Sequence, residues 1–148
     1  MPETDPAGPL PPALLGEQLA ALLGGPYSDA DSAGAAGLAA ECLRYLNHAA
    51  PRDGVTEPAT VCAVASELSL MAYRLPQLLM ALGEWLTAGA AAGRVADDHG
   101  RPPAELAAKV RGAFGDAAAY AGRLGVTLSL AHNLSATLHA SDPDGAAA

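Results

Sequence analysis

The sequence predicts an all-α fold, an antiparallel helical bundle built on a long helical hairpin. Two observations carry this. The apolar fraction is 51% and is supplied mostly by alanine and leucine, while aromatics are limited to four Tyr, one Trp and one Phe. With few β-branched residues as well, that composition favours helix over strand. Two long stretches also repeat apolar residues in alternating steps of three and four, the spacing of one helical face. At 148 residues the chain is expected to form one domain with loose ends.

The first twelve residues, "MPETDPAGPLPP", are Pro-rich and polar and read as a disordered arm. The bundle domain is expected over 13–140, and the tail "SDPDGAAA" over 141–148 is a second disordered end. Within "ALLGEQLAALLGG" (13–25), Leu14, Leu15, Leu19, Leu22 and Leu23 cluster on one side of a short helix that Gly24-Gly25-Pro26 stops. The next helix begins with Ser28 and Asp31 at capping-box spacing, or alternatively at Ser32. Leu38, Cys42, Tyr45 and Ala49 form its stripe, Leu43 and Leu46 widen it, and Pro51 ends it.

The hairpin itself is expected over about 57–95 and 103–139. Thr56 is a candidate cap for its first helix, and Pro58 suits a first turn because its missing N–H has no partner there. A heptad seam follows through Val61, Val64, Leu68, Met71, Leu75, Leu78, Leu82, Trp85, Gly89 and Ala92, with Ala65, Ala72, Leu79 and Leu86 as an adjacent second stripe. A helix apolar on two adjacent stripes needs neighbours on two sides. Pro76 predicts a kink, or alternatively a break. "DDHGRPP" (97–103) is the turn. The last helix carries a seam of Leu106, Val110, Ala113, Ala117, Tyr120, Leu124, a Thr127/Leu128 pair, Ala131, Leu134 and Leu138. Its glycines, Gly112, Gly115, Gly122 and Gly125, weaken it by about 1 kcal/mol each relative to Ala, but let another backbone approach. Each hairpin helix would be about 55 Å long, and one or two shorter N-terminal helices would cover the second stripe.

Charge and motifs exclude several functions. A net charge of −8, with eight basic residues spread singly, lacks the footprint of a nucleic-acid binder and disfavours anionic membrane surfaces. A membrane span is not expected, because Glu67, Arg74, Gln77 and Glu84 interrupt the apolar run between Val61 and Leu86. Two cysteines and an acidic, signal-free N-terminus point to a reducing cytoplasm. Seven Arg against one Lys, with abundant Ala, Gly and Pro, fit a high-GC genome, and the general pattern resembles small helical proteins of actinobacteria, which implies no mechanism. Tyr27-x-x-x-Asp31 resembles the tail signal of proteins exported by mycobacterial-type secretion systems, but it precedes the hairpin instead of following it, and the W-x-G turn is absent.

No nucleophile elbow, phosphate loop or dinucleotide fingerprint is present, so an enzyme is not expected and no cofactor is implied. The up-down topology collects Cys42, Asn47, His48, Cys62, His132, Asn133 and His139 at one end of the bundle. Cys42, His48, Cys62 and His132 are therefore the candidate metal ligands, although C-x-x-C, H-E-x-x-H and E-x-x-H spacings are all missing. A Cys42–Cys62 disulfide is a further geometric option that a reducing compartment disfavours. Arg74 and Arg123, midway along the hairpin beside Tyr73 and Tyr120, would suit an anionic substrate or ligand; the plainer reading turns them to solvent. The leading expectation is a non-enzymatic protein that acts through protein–protein contact and self-associates as a dimer, with Leu75, Leu78, Leu79, Leu82, Trp85 and Leu86 at the centre of its core or interface. The alternatives are a ligand- or metal-binding regulator using the Cys/His end, and a small enzyme on an anionic substrate.

Overall fold

Three helices, α1 (Asp29–Ala49), α2 (Pro58–Ala91) and α3 (Pro103–Ser135), make up the architecture of the described residues, with no strand among them. The computed structural model describes residues 24–140, together with Gly16, Glu17, Ala20 and Ala21. The arm over 1–12, the tail over 141–148 and most of the short helix expected over 13–25 lie outside the described residues. The chain divides into two compact units, Met1–Thr56 and Glu57–Ala148.

In the first unit, α1 starts where the capping-box spacing placed it. Ser28 adopts extended backbone and its Oγ accepts from the Asp31 N–H at 3.1 Å, while Asp29 and Asp31 put negative charge at the positive end of the helix dipole. The helix ends at Ala49, and the Gly54 N–H returns to the Ala49 carbonyl at 3.0 Å. A Cβ at Gly54 would meet Ala49 at 2.6 Å, so that return requires glycine. Glu41 and Arg44 form an ion pair along the helix at 2.6 Å.

The second unit is the hairpin. α2 begins at Pro58 with Glu57 as its N-cap and no side-chain cap bond, so Thr56 does not cap it. The helix runs unbroken through Pro76. The break considered at that proline is therefore excluded, since one missing N–H in a 34-residue helix leaves neighbouring turns to hold the axis. α2 stops earlier than expected, at Ala91 and not near residue 95. Gly93 has φ +69°, its N–H bonds the Ala90 carbonyl, and the Arg94 N–H bonds the Gly89 carbonyl at 2.9 Å. This is a Schellman ending, in which a left-handed glycine satisfies the last carbonyls and turns the chain away. Val95 then folds back so closely that a Cβ on Gly89 would lie 2.9 Å from its Cγ2.

The connecting turn is organised by Asp97. Its carboxylate accepts from the His99 and Arg101 backbone N–H groups at 3.1 and 3.0 Å, and from the Arg101 guanidinium at 2.7 Å, while Gly100 supplies the positive φ. α3 follows from Pro103 at N1 and ends at Ser135 and not near 139. There Ser135 Oγ donates to the His132 carbonyl and Thr137 Oγ1 to the Leu134 carbonyl, so hydroxyls take up late carbonyls of the helix.

The two long helices pack antiparallel, and the contacts fix the register. Cys62 meets His132; one heptad on, Ser69 meets Gly125; two heptads further, Gly83 meets Arg111, whose Cα would lie 3.4 Å from an added Cβ. Ala65, Ser69, Ala72 and Gly83 are buried on α2, and Ala107, Ala121, Gly125 and Ser135 on α3. These are small side chains. The close-packing line is thus the stripe that includes Ala65, Ala72, Leu79 and Leu86, with α3 contributing a line one residue later than its expected seam. Where Ala, Gly and Ser occupy that line, small side chains allow short interaxial distances and backbone contact, while Leu79 and Leu86 sit half-buried along it.

The larger seams stand one residue before each close-packing position on both helices, at Leu68, Met71, Leu75, Leu78, Leu82 and Trp85 on α2 and at Leu106, Val110, Tyr120 and Leu124 on α3. An antiparallel helix pair has an approximate two-fold axis normal to its plane. Equivalent positions on the two helices therefore fall on one side, and the two seams form a single apolar face of the hairpin.

Two outcomes test this arrangement. Ala72 is only 1% exposed, so Ala72→Leu should destabilise the hairpin by about 1–3 kcal/mol, read from the urea midpoint. The Arg101 guanidinium holds the Asp97 carboxyl below its usual value, reinforced by the Arg101 and His99 N–H groups. A lowered carboxyl contributes order that is present above the unfolded value of 3.8 and lost as pH falls through the folded value. Carbon-detected titration of Asp97 should show an acid-shifted midpoint, and Arg101→Gln should return it toward the ordinary range.

Candidate functional site

The side of the hairpin opposite the apolar face carries a polar groove. The residues that build it stand one position after the close-packing line, at Ser66, Leu70 and Tyr73 on α2 and at Ser129 on α3, with Ser69 and His132 completing the wall. The groove holds about 270 Å³. No carboxylate, lysine or arginine lines it.

Its hydrogen bonds have a direction. The Gly125 carbonyl can only accept, so Ser69 Oγ donates to it at 3.1 Å. Ser69 has one proton, so in the 2.7 Å contact between the two serines Ser129 is the donor. Ser129 is then committed too, and Tyr73 is the donor across the longer 3.4 Å gap to Ser129 Oγ. The relay runs Tyr73, Ser129, Ser69, Gly125. The Tyr73 ring lies against Gly125, where an added Cβ would sit 3.0 Å from Cε1. This is the functional use of one of the α3 glycines: it admits the tyrosine ring and the serine hydroxyl to the backbone.

At one end, Cys62 and His132 join the helices. His132 Nδ1 lies 3.1 Å from the Cys62 carbonyl and 3.3 Å from its Sγ, and Cys62 Sγ donates to the His132 carbonyl at 3.8 Å. A carbonyl cannot donate, so Nδ1 carries the proton and Nε2 is left as an acceptor. Both cysteines are free thiols.

Of the residues expected at one end of the bundle, Cys62 and His132 are in direct contact. Cys42 and His48 lie on α1 in the first unit; His48 Nδ1 is 3.2 Å from the Arg52 guanidinium of its own unit. Among the described residues no group of three or more His, Cys, Asp or Glu is placed to hold a metal ion. Arg123 stacks on the Tyr120 ring of its own helix with its guanidinium carbon 4.7 Å from the centroid. Arg74 is exposed and shares no partner with it among the described residues. Of the predicted core or interface residues, Leu75, Leu79 and Leu86 are half-buried, whereas Leu78, Leu82 and Trp85 are 54%, 44% and 62% exposed. No described helix is long and apolar enough to cross a membrane.

Sequence reasoning passed over the serines. Ser69 shares its heptad position with Cys62, Pro76, Gly83 and Ala90, and Tyr73 follows it by one helical turn, so a hydroxyl along a line of mostly small residues was the available signal. Comparison of the chain with family models, with curated proteins and with solved structures finds no match.

The relay makes an ordered prediction. Ser69→Ala removes the buried hydroxyl that bridges the helices and should lower stability by about 1 kcal/mol, as a reduced urea midpoint with unchanged slope. Tyr73→Phe removes only the long bond and should leave the midpoint near that of the parent.

Proposed function

We propose that the protein acts by protein–protein association, with the broad apolar face of the hairpin as the contact surface, and that it self-associates as a dimer without enzymatic activity. The observation that carries this reading is the exposure of large side chains that share one side of the hairpin. Leu78, Leu82 and Trp85 on α2 and Tyr120, Leu124 and Leu134 on α3 are all exposed. The hairpin contact runs mainly through alanine, glycine and serine, with Cys62 and His132 at one end, so Leu78, Leu82 and Trp85 are not consumed in it. A solvent-facing surface needs no such residues, and a contiguous apolar patch marks an interaction site. Trp and Tyr are also the side chains that most often dominate binding energy at interfaces.

Self-association follows from symmetry. The face contains equivalent positions of two antiparallel helices, so it already has an approximate two-fold character, and a second copy can pack on it isologously to make a four-helix layer. Its charges are sparse and no basic patch competes for a nucleic-acid partner.

Leu82→Asp tests the reading directly. Leu82 does not lie on the close-packing line, so the variant should keep its helicity and its urea midpoint within about 1 kcal/mol, while light scattering should report a monomer where the parent protein is a dimer. A parent that is monomeric at all accessible concentrations, or a variant of unchanged mass in solution, removes the assignment.

A further inference from the structure

From the groove of Ser66, Ser69, Leu70, Tyr73, Ser129 and His132 we infer a binding site for a small organic ammonium ion, on the side of the hairpin opposite the association face. The argument starts from proton inventory. The relay from Tyr73 through Ser129 and Ser69 ends on the Gly125 carbonyl, so the protons of Ser69 and Ser129 are already spent within the protein, while the Ser66 hydroxyl at the rim is free to rotate and can accept. Neither Ser69 nor Ser129 has a proton left for a ligand, so what they can offer the groove is lone pairs. The same holds for His132, whose Nδ1 proton is held by the Cys62 carbonyl and whose Nε2 is an acceptor with no partner among the described residues. With Ser69, Ser129 and His132 left as acceptors, the groove favours a ligand that brings donors, and an ammonium group brings up to three.

Charge and shape agree with this. No cationic side chain lines the groove, and the chain carries a net charge of −8, whose field attracts cations and repels carboxylates. Tyr73 packs one side of its ring on Gly125 and is itself half exposed, which leaves ring surface available for a cation. Leu70 offers apolar surface to the body of the ligand. The volume, about 270 Å³, is several times the roughly 30 Å³ that a water molecule takes in the liquid, enough for an amine on a single ring or short alkyl chain.

Titration of the full chain with benzylammonium, followed by amide NMR, tests the site. Benzylammonium should shift the signals of Ser66, Leu70, Tyr73, Ser129 and His132 with a dissociation constant of about 1 mM, and benzoate should not. Ser66→Leu, which fills the groove from its rim, should weaken binding at least about tenfold with unchanged circular dichroism. Tyr73→Ala should weaken it by about three- to fivefold. Benzyl alcohol binding as tightly as benzylammonium would overturn the ammonium assignment in favour of a neutral donor. Shifts scattered over the acidic surface, an absence of shifts, or full affinity in Ser66→Leu would overturn the site.

Discussion

Close approach of α2 and α3 along a line of small residues is the constraint on which the rest of the hairpin depends. Ala65, Ser69, Ala72 and Gly83 on one helix and Ala107, Ala121 and Gly125 on the other bring the two backbones together. Once they are that close, a hydroxyl on one helix reaches a carbonyl on the other, as Ser69 reaches Gly125. A histidine can likewise reach across to a backbone carbonyl and a thiol, as His132 does with Cys62. Neither contact would span a seam of leucines. Close packing also explains how helices containing several glycines and an internal proline persist: their stability comes from each other more than from propensity.

The same constraint divides the hairpin into two unlike sides. The leucine seams and Trp85 stand one position before the close-packing line, which rotates them together to one side, although Leu70, Met80 and Val126 remain exposed on the other. The other side receives serines, Tyr73 and the acceptor-lined groove. A one-residue offset, repeated in both helices, thus separates the leucine-rich face from the groove, with the close-packing line between them.

The helical class, the hairpin, its turn at 97–103 and the Ser28 cap were all legible in the sequence, because each rests on local signals: period, proline at N1, a capping spacing. The helix ends were less so. Gly93 is a typical left-handed stop, but the alanines around it extend the apolar pattern and mask it. The choice between adjacent stripes on α2 was the harder question. Both repeat every seven residues, and hydrophobicity alone favours the line with leucines and tryptophan. Volume decides otherwise, since two long helices that meet over many turns gain most where nothing bulky holds them apart. For the candidate site, the up-down topology already brought Cys62 and His132 to the same end of the hairpin. The serine relay was not legible, because its members are unremarkable singly and acquire a role only through the register.

That register also governs how such a chain can change length. A residue inserted into α2 rotates everything beyond it by about 100°, carrying leucines into the contact and alanines out of it, and shifts every later partner on α3. An insertion of a whole heptad preserves the faces but still breaks the pairing unless α3 grows by the same amount at the matching height. Related chains should therefore differ in length mainly outside the helices, or by paired heptads within them, while the identity of individual outward residues drifts freely.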